Sequence, residues 1–413
     1  MTVTSAYPRD GEFLALEEIH AAALKHLPQD AATYLESGAG TEQTLRANRE
    51  AFHRWVIKPR PMSGVSDPKT NTSFLGIPLS VPVLTAPFGG DALFAHDGHL
   101  AVARANAACG TASIVPEVGS FSYEEVAAAA PAAARIGQLH PHDSFDFSAA
   151  RIKAAGYDAL CVTVDCPIVG FRARNRMGRF HLDPVIWRGN VLHDGSPNIA
   201  STYGASIVPT WTWDELAAAT ARHGMPWIAK GILTVEAAEA ALAAGASAIV
   251  VSNHGGRQVD PSPASLDVLP EIAAAVSGQV PILLDSGVRT GADVFTALAL
   301  GASAVVIGRL AAYGLAAAGE FGVRRTIELL TQELHILMTL AGIPDIQSLT
   351  RDTVARRLPS SKWIWGCVTS RKAQGPVGPP SWWRQARWSS SWARSWCRRC
   401  RCRTTRTSTR SGC

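Results

Sequence analysis

Residues 243–258 read Ala-Ala-Gly-Ala-Ser-Ala-Ile-Val-Val-Ser-Asn-His-Gly-Gly-Arg-Gln. The Ala-rich stretch reads as the end of a helix, and Gly245 suits the left-handed conformation of a helix C-cap. Ala248–Val251 is short and wholly apolar, the pattern of a parallel strand buried on both faces. The backbone then turns on Gly255 and Gly256, and an imidazole (His254) and a guanidinium (Arg257) leave one loop. A base beside a carboxylate-binding cation is what an enzyme needs to deprotonate a small acid held by its charged end.

The helix–glycine–strand unit recurs. Ala-Ala-Cys-Gly110 precedes Thr-Ala-Ser-Ile-Val115, Ala-Ala-Gly156 precedes Ala159-Leu-Cys-Val-Thr163, and Ala-Leu-Gly301 precedes Ala304-Val-Val-Ile-Gly308. Four further apolar runs, Val81–Thr85, Ala134–Gln138, Pro226–Lys230 and Pro281–Asp285, bring the strands to eight. Eight buried strands with helices between them predict an α/β fold, a (β/α)8 TIM barrel. The competing open doubly wound sheet lacks support, because no glycine-rich dinucleotide fingerprint opens the chain. Residues 12–80 read as a helical lead-in. The long gap after the fourth strand, Asp165 to Pro226, holds an Arg-, Gly- and Asn-rich stretch, Gly170–Tyr203, expected to form a lid loop.

Charge divides the chain. Its net +5 conceals 25 basic and 34 acidic residues in 1–352, a net −9, and 14 Lys and Arg with no Asp or Glu after Asp352. The tail also holds seven of the twelve Trp and five of the eight Cys. The expected division is a barrel domain, 1–358, and an Arg/Trp/Ser/Cys-rich tail, 359–413, read as disordered or non-native. Cys397, Cys400 and Cys402 lack a fourth ligand in pattern, so no metal site is expected, and the tail is not read as a nucleic-acid binder. Cys109, Cys161 and Cys166 lie within or beside apolar segments as reduced thiols. No apolar run is long enough to span a bilayer, and no secretory signal opens the chain, so a cytoplasmic enzyme with no membrane partner is expected.

Function in such a barrel collects at the C-terminal strand ends. These carry Pro87-Phe88-Gly89, Gln138 and His140, Thr163 and Asp165, Lys230, Ser252 to Arg257, Asp285 to Arg289, and Gly308-Arg309. Asp285-Ser-Gly-Val-Arg-Thr-Gly291 and Ile307-Gly-Arg309 follow the last two strands, where barrels bind phosphate, and point to a phosphate-bearing cofactor. Lys230 reads equally as a Schiff-base former, an anion stabiliser or a structural lysine. Taken singly, Tyr34 reads as core, Arg172 as a solvated charge and Asp165 as a turn cap before Pro167.

These motifs resemble the FMN-dependent α-hydroxy-acid oxidases and dehydrogenases. Ser252-Asn-His-Gly-Gly-Arg-Gln258 carries most of the likeness. Tyr34-Leu-Glu-Ser-Gly-Ala39, Thr163-Val-Asp165, Ala229-Lys-Gly231 and Asp285-Ser-Gly-Val-Arg289 support it over about residues 15–357. The resemblance implies FMN as cofactor. It implies His254 as the base, Asp165 pairing with it and favouring its protonated form, and Arg257, Arg172 and Tyr34 gripping the substrate carboxylate. Lys230 would stabilise the reduced flavin, with Gln138, Thr163 and Ser252 on the ring. Asp285, Gly287, Arg289, Gly308 and Arg309 would surround the ribityl chain and phosphate, and Pro87, Phe88 and Gly89 would back the ring.

Two positions depart from the family pattern. His140 stands where the family has a tyrosine that assists at the substrate oxygen. Val115-Pro116-Glu117 replaces a hydroxyl-bearing residue near the flavin, and an inward carboxylate there would disfavour an anionic reduced flavin. Ala95-His-Asp-Gly-His99 and Asp285–Asp293 are similar to the lactate monooxygenase branch. The expected activity is oxidation of an (S)-2-hydroxy acid to the 2-oxo acid, the flavin being reoxidised by oxygen or another acceptor. Oxidative decarboxylation and a catalytically impaired flavin-binding barrel are the alternatives. The family's tetramers imply a homo-oligomer.

Overall fold

The computed structural model describes residues 13–179, 186, 189–190 and 210–357. The tail 359–413, its cysteines and most of the expected lid lie outside the described residues. The barrel strands are β1 (Val83–Thr85), β2 (Ser113–Val115), β3 (Arg135–Leu139), β4 (Ala159–Thr163), β5 (Trp227–Ile232), β6 (Ala248–Val251), β7 (Ile282–Leu284) and β8 (Ala304–Ile307). They form one closed parallel barrel in chain order, sealed where Val305–Ile307 of β8 pairs with Val83–Thr85 of β1.

All but one of the strand residues are buried, as a barrel covered by helices requires. Leu84, Ile114, Ile136, Ile228, Val250, Leu283 and Val306 share one cluster with Phe74, Ile77 and Leu79. The alternate residues of successive strands thus fill the interior, and the hairpin Thr72–Phe74/Ile77–Leu79 packs against the same layer. The residues between face the helices in a second, larger cluster.

The helix-ending glycines behave as their sequence context predicts: Gly110, Gly156, Gly245 and Gly301 all have positive φ. Helices Leu16–His26, Gln29–Glu36 and Gln43–His53 form the lead-in. It folds back onto the barrel, where Ala39 N–H donates to the Gly256 carbonyl and Gly40 N–H to that of Phe171. The amides of Asn48 and Asn253 exchange bonds of 2.9 and 2.7 Å. The lead-in is therefore tied to the loop after β6. Within the lid stretch, Ala173–Met177 forms a short helix with Arg172 at its N-cap. No helix among the described residues is long and apolar enough to cross a membrane.

Candidate active site

The loop after β6 is built from three consecutive left-handed residues, His254 (φ 58°), Gly255 (67°) and Gly256 (72°). A Cβ on Gly256 would lie 2.7 Å from the Leu45 nitrogen, and one on Gly255 would lie 2.7 Å from Arg309 Nη1. Neither position has room for a side chain. His254 bears the strain of a non-glycine residue in this region, with its N–H bonded to Ser252 Oγ at 3.1 Å.

His254 Nδ1 lies 3.2 Å from Asp165 Oδ1, at the end of β4. A carboxylate there fixes the proton on Nδ1 and leaves Nε2 as the proton acceptor. Burial, with the charges of Lys230 and Arg172, pushes His254 below its ordinary value, against the upward pull of Asp165. The expectation that Asp165 favours the protonated form holds for that one interaction. The net direction is the reverse: burial and two cations outweigh one carboxylate, so the resting imidazole is a neutral base. Burial alone would raise the Asp165 carboxyl, but His254, Lys230 and His140 outweigh it and hold the group low.

Lys230 of β5 is buried, 3.3 Å from Ser252 Oγ and 3.4 Å from Asp285 Oδ2. Burial would depress its ammonium, but Asp285 and Asp165 hold it above the usual value. It is a fixed cation, which removes the Schiff-base reading, since that chemistry needs a neutral amine. Arg257 donates from Nη1 to the carbonyls of Tyr34 and Ser37, both at 2.8 Å, and lies 4.8 Å over the Tyr34 ring. Arg172 Nε reaches the Arg257 carbonyl at 3.4 Å.

One cavity open to solvent is lined by Tyr34, Pro87, Phe88, Gly89, Arg172, Lys230, His254, Arg257, Asp285, Gly287, Arg289, Gly308 and Arg309. Gln138, Thr163, Ser252, Asp165 and His140 are not on its lining. They stand one row behind: Ser252 under Lys230, Asp165 under His254, and Gln138 bonded to Thr163 Oγ1 at 3.0 Å.

A family model described as FMN-dependent dehydrogenase matches residues 23–356. The chain belongs to that family. It is 41% identical over 349 residues to an L-lactate oxidase of Nostoc sp., covering 81% of this chain and 96% of that protein. It is 38% identical over 351 residues to a peroxisomal (S)-2-hydroxyacid oxidase of Arabidopsis thaliana, covering 83% and 96%. The solved structure of a Pediococcus acidilactici lactate oxidase superposes with a TM-score of 0.79 at 37% identity, covering 84% of this chain and 96% of that one.

As an FMN-dependent dehydrogenase, the chain needs a phosphate site and a cationic ring site, and the donor set fits both. The helix Arg309–Ala341 starts at Gly308 with no side-chain cap, and Gly308, Arg289 and Arg309 face the cavity. An uncapped helix N-terminus flanked by arginines is an anion site. Arg309 is also committed elsewhere, donating at 2.8 Å to the carbonyls of Leu35, Gly255 and Ser37. Burial and Arg289 lower it to about 10, so it stays charged at neutral pH.

Sequence reading missed Ser286, whose Oγ donates to Asp285 Oδ1 at 2.6 Å and accepts from Gly255 N–H at 2.9 Å, joining the β6 and β7 loops. Its signal was adjacency to Asp285. Asn48, bonded to Asn253, and Phe94, on the cavity lining, had none, being set by the fold of the lead-in and of the loop after β1. The Glu117 carboxylate is fully buried and bonded to His140, His142 and Ser148. Glu117 is not on the cavity lining, so the carboxylate does not point inward as that expectation required.

Proposed function

We propose that this protein oxidises small (S)-2-hydroxy acids to 2-oxo acids with bound FMN and passes the electrons to oxygen. The observation that carries the reading is the His254–Asp165 pair, opening on the same cavity as Lys230, Arg257 and Arg172. FMN supplies the acceptor for the two electrons that leave the substrate carbon.

The chain's residues do the rest. Arg257 and Arg172 hold the substrate carboxylate, a task suited to a forked guanidinium, and Tyr34 adds a hydrogen bond. His254 Nε2 takes one proton from the substrate, and Asp165 stabilises the imidazolium that results. Lys230, fixed by Asp285 and Ser252, provides positive charge where negative charge accumulates at the cofactor ring. Gln138 and Thr163 orient the ring from behind the cavity wall. Pro87, Phe88 and Gly89 back it, and Asp285, Gly287, Arg289, Gly308 and Arg309 hold the ribityl phosphate.

We place this activity wholly in residues 1–358, with no role for the tail 359–413. A homo-oligomer, tetrameric by the family resemblance, belongs to the same reading. So does a cytoplasmic location, in keeping with the free thiols Cys109, Cys161 and Cys166. The test is oxygen uptake and product analysis on L-lactate, glycolate, (S)-mandelate and longer 2-hydroxy acids, with D-lactate as control. A 2-oxo acid from at least one S-substrate supports the reading. A decarboxylated acid as the product replaces it with the monooxygenase chemistry, and no turnover on any of them refutes it.

A further inference from the structure

Phe94 lines the cavity, yet the chemistry above gives it no task. It follows the 3-10 turn Asp91–Leu93 after β1 and closes that turn by donating its N–H to the Asp91 carbonyl at 3.0 Å. The turn is anchored to the loop after β2 and to the helix that follows. The fully buried Asp91 carboxylate accepts the Ser120 backbone N–H at Oδ1 and the His99 backbone N–H at Oδ2, both at 2.7 Å. The Ala92 N–H donates to Ser120 Oγ at 3.1 Å. Phe94 therefore stands on a well-bonded backbone, as a wall that discriminates between ligands must.

Its ring has two aromatic neighbours on the same lining. The Tyr34 ring lies 6.5 Å away at an interplanar angle of 23°, and the Phe88 ring lies 5.9 Å away at 57°. Tyr34 marks the carboxylate end of the cavity, because the Arg257 guanidinium lies 4.8 Å over its ring. The phosphate end carries Arg289 and Arg309. Phe94 thus stands where the substrate is held. A 2-hydroxy acid bound there gives its carboxylate to the guanidiniums and turns its reacting carbon toward His254 and the cofactor. What remains is its side chain. The Phe94 ring, continued by Phe88, is an apolar surface beside Tyr34 with no hydrogen-bonding group. A hydroxyl or charge placed against it loses water without a partner, whereas a hydrocarbon group gains by burial.

We propose that Phe94 is a specificity-determining residue: its ring receives the substrate side chain and selects 2-hydroxy acids with a hydrocarbon side chain over glycolate and over acids with a polar side chain. The proposal rests on the oxidation and the carboxylate clamp described above.

The experiment uses the FMN-loaded enzyme. It measures kcat/KM for glycolate, L-lactate, (S)-2-hydroxybutyrate and (S)-glycerate, whose side chain carries a hydroxyl where the hydroxybutyrate has a methyl. Independently of turnover, calorimetry gives the Kd of the matching 2-oxo acids pyruvate, 2-oxobutyrate and hydroxypyruvate. In the wild type each added carbon should raise kcat/KM about fourfold, the burial of one methylene. (S)-2-Hydroxybutyrate should exceed (S)-glycerate by about tenfold or more. Phe94→Ala should cut that ratio by about fivefold or more, and the affinity ratio of 2-oxobutyrate to hydroxypyruvate in parallel, while Phe94→Leu, still apolar, keeps most of both. Ratios in Phe94→Ala equal to those of the wild type, or a wild type that prefers glycolate or (S)-glycerate, overturn the proposal. If Phe94→Ala does not fold, the near-isosteric pair Phe94→Leu and Phe94→Asn decides, and equal ratios in the two refute it. A wild type that turns over none of these acids, yet binds 2-oxobutyrate over hydroxypyruvate with a preference that Phe94→Ala loses, supports the side-chain wall and overturns the functional reading beneath it.

Discussion

Replacing Asp165 by Asn tests the electrostatics of the base. The substitution keeps the side chain's shape and removes its charge. At the 3.2 Å separation of Asp165 Oδ1 and His254 Nδ1, Coulomb's law with an effective dielectric of about 20 gives roughly 5 kcal/mol between carboxylate and imidazolium. The side chains are 14% and 27% exposed, so the realised loss is smaller, about 3–4 kcal/mol, or roughly 10²–10³-fold in rate. The sign of the pH effect follows from the same pair. His254 is already held low by burial, Lys230 and Arg172, with Asp165 the opposing influence. Without that carboxylate, His254 falls further, so the acid limb of kcat/KM moves to lower pH while the plateau drops. Steady-state profiles of the two FMN-loaded proteins measure both. A plateau within threefold of wild type, or an acid limb that stays in place, refutes the assignment.

Three further outcomes follow from the geometry. Arg257→Lys loses the planar guanidinium that Nη1 anchors on the Tyr34 and Ser37 carbonyls, so KM for the hydroxy acid should rise tenfold or more in steady-state assays, with a smaller change in kcat. Gly256→Ala forces a side chain into φ 72° and against Leu45; a cost on the order of 1–3 kcal/mol should lower Tm measurably in a thermal melt. Thiol labelling of the native protein should spare Cys109 and Cys161, both pushed up to about 12 by burial, and mass spectrometry of the labelled chain reads this directly.

The barrel was legible because its signal is local and repeated. Each of Gly110, Gly156, Gly245 and Gly301 marks a helix end, and each apolar run after it is a strand buried on both faces. The β6 loop was legible too, because two glycines in succession between an imidazole and a guanidinium have few other uses. What escaped depends on contacts distant in sequence. Nothing near Asn48 announces Asn253, 205 residues away. Nothing in Pro116-Glu117 says that its carboxylate meets His140, 23 residues on. Read separately, they are two unrelated departures; the structure joins them by a 2.9 Å contact. The direction of the His254 shift also escaped, because it sums burial and three charges from β4, β5 and the lid, and one neighbour's sign does not determine it.

The most direct test is anaerobic mixing of the FMN-loaded protein with an (S)-2-hydroxy acid while the flavin's visible absorbance is followed, for wild type and for His254→Ala. Wild type should bleach within seconds and regain its colour on admission of air. His254→Ala should bind the flavin normally and bleach at least a hundredfold more slowly. Equal bleaching rates in the two proteins would contradict the account.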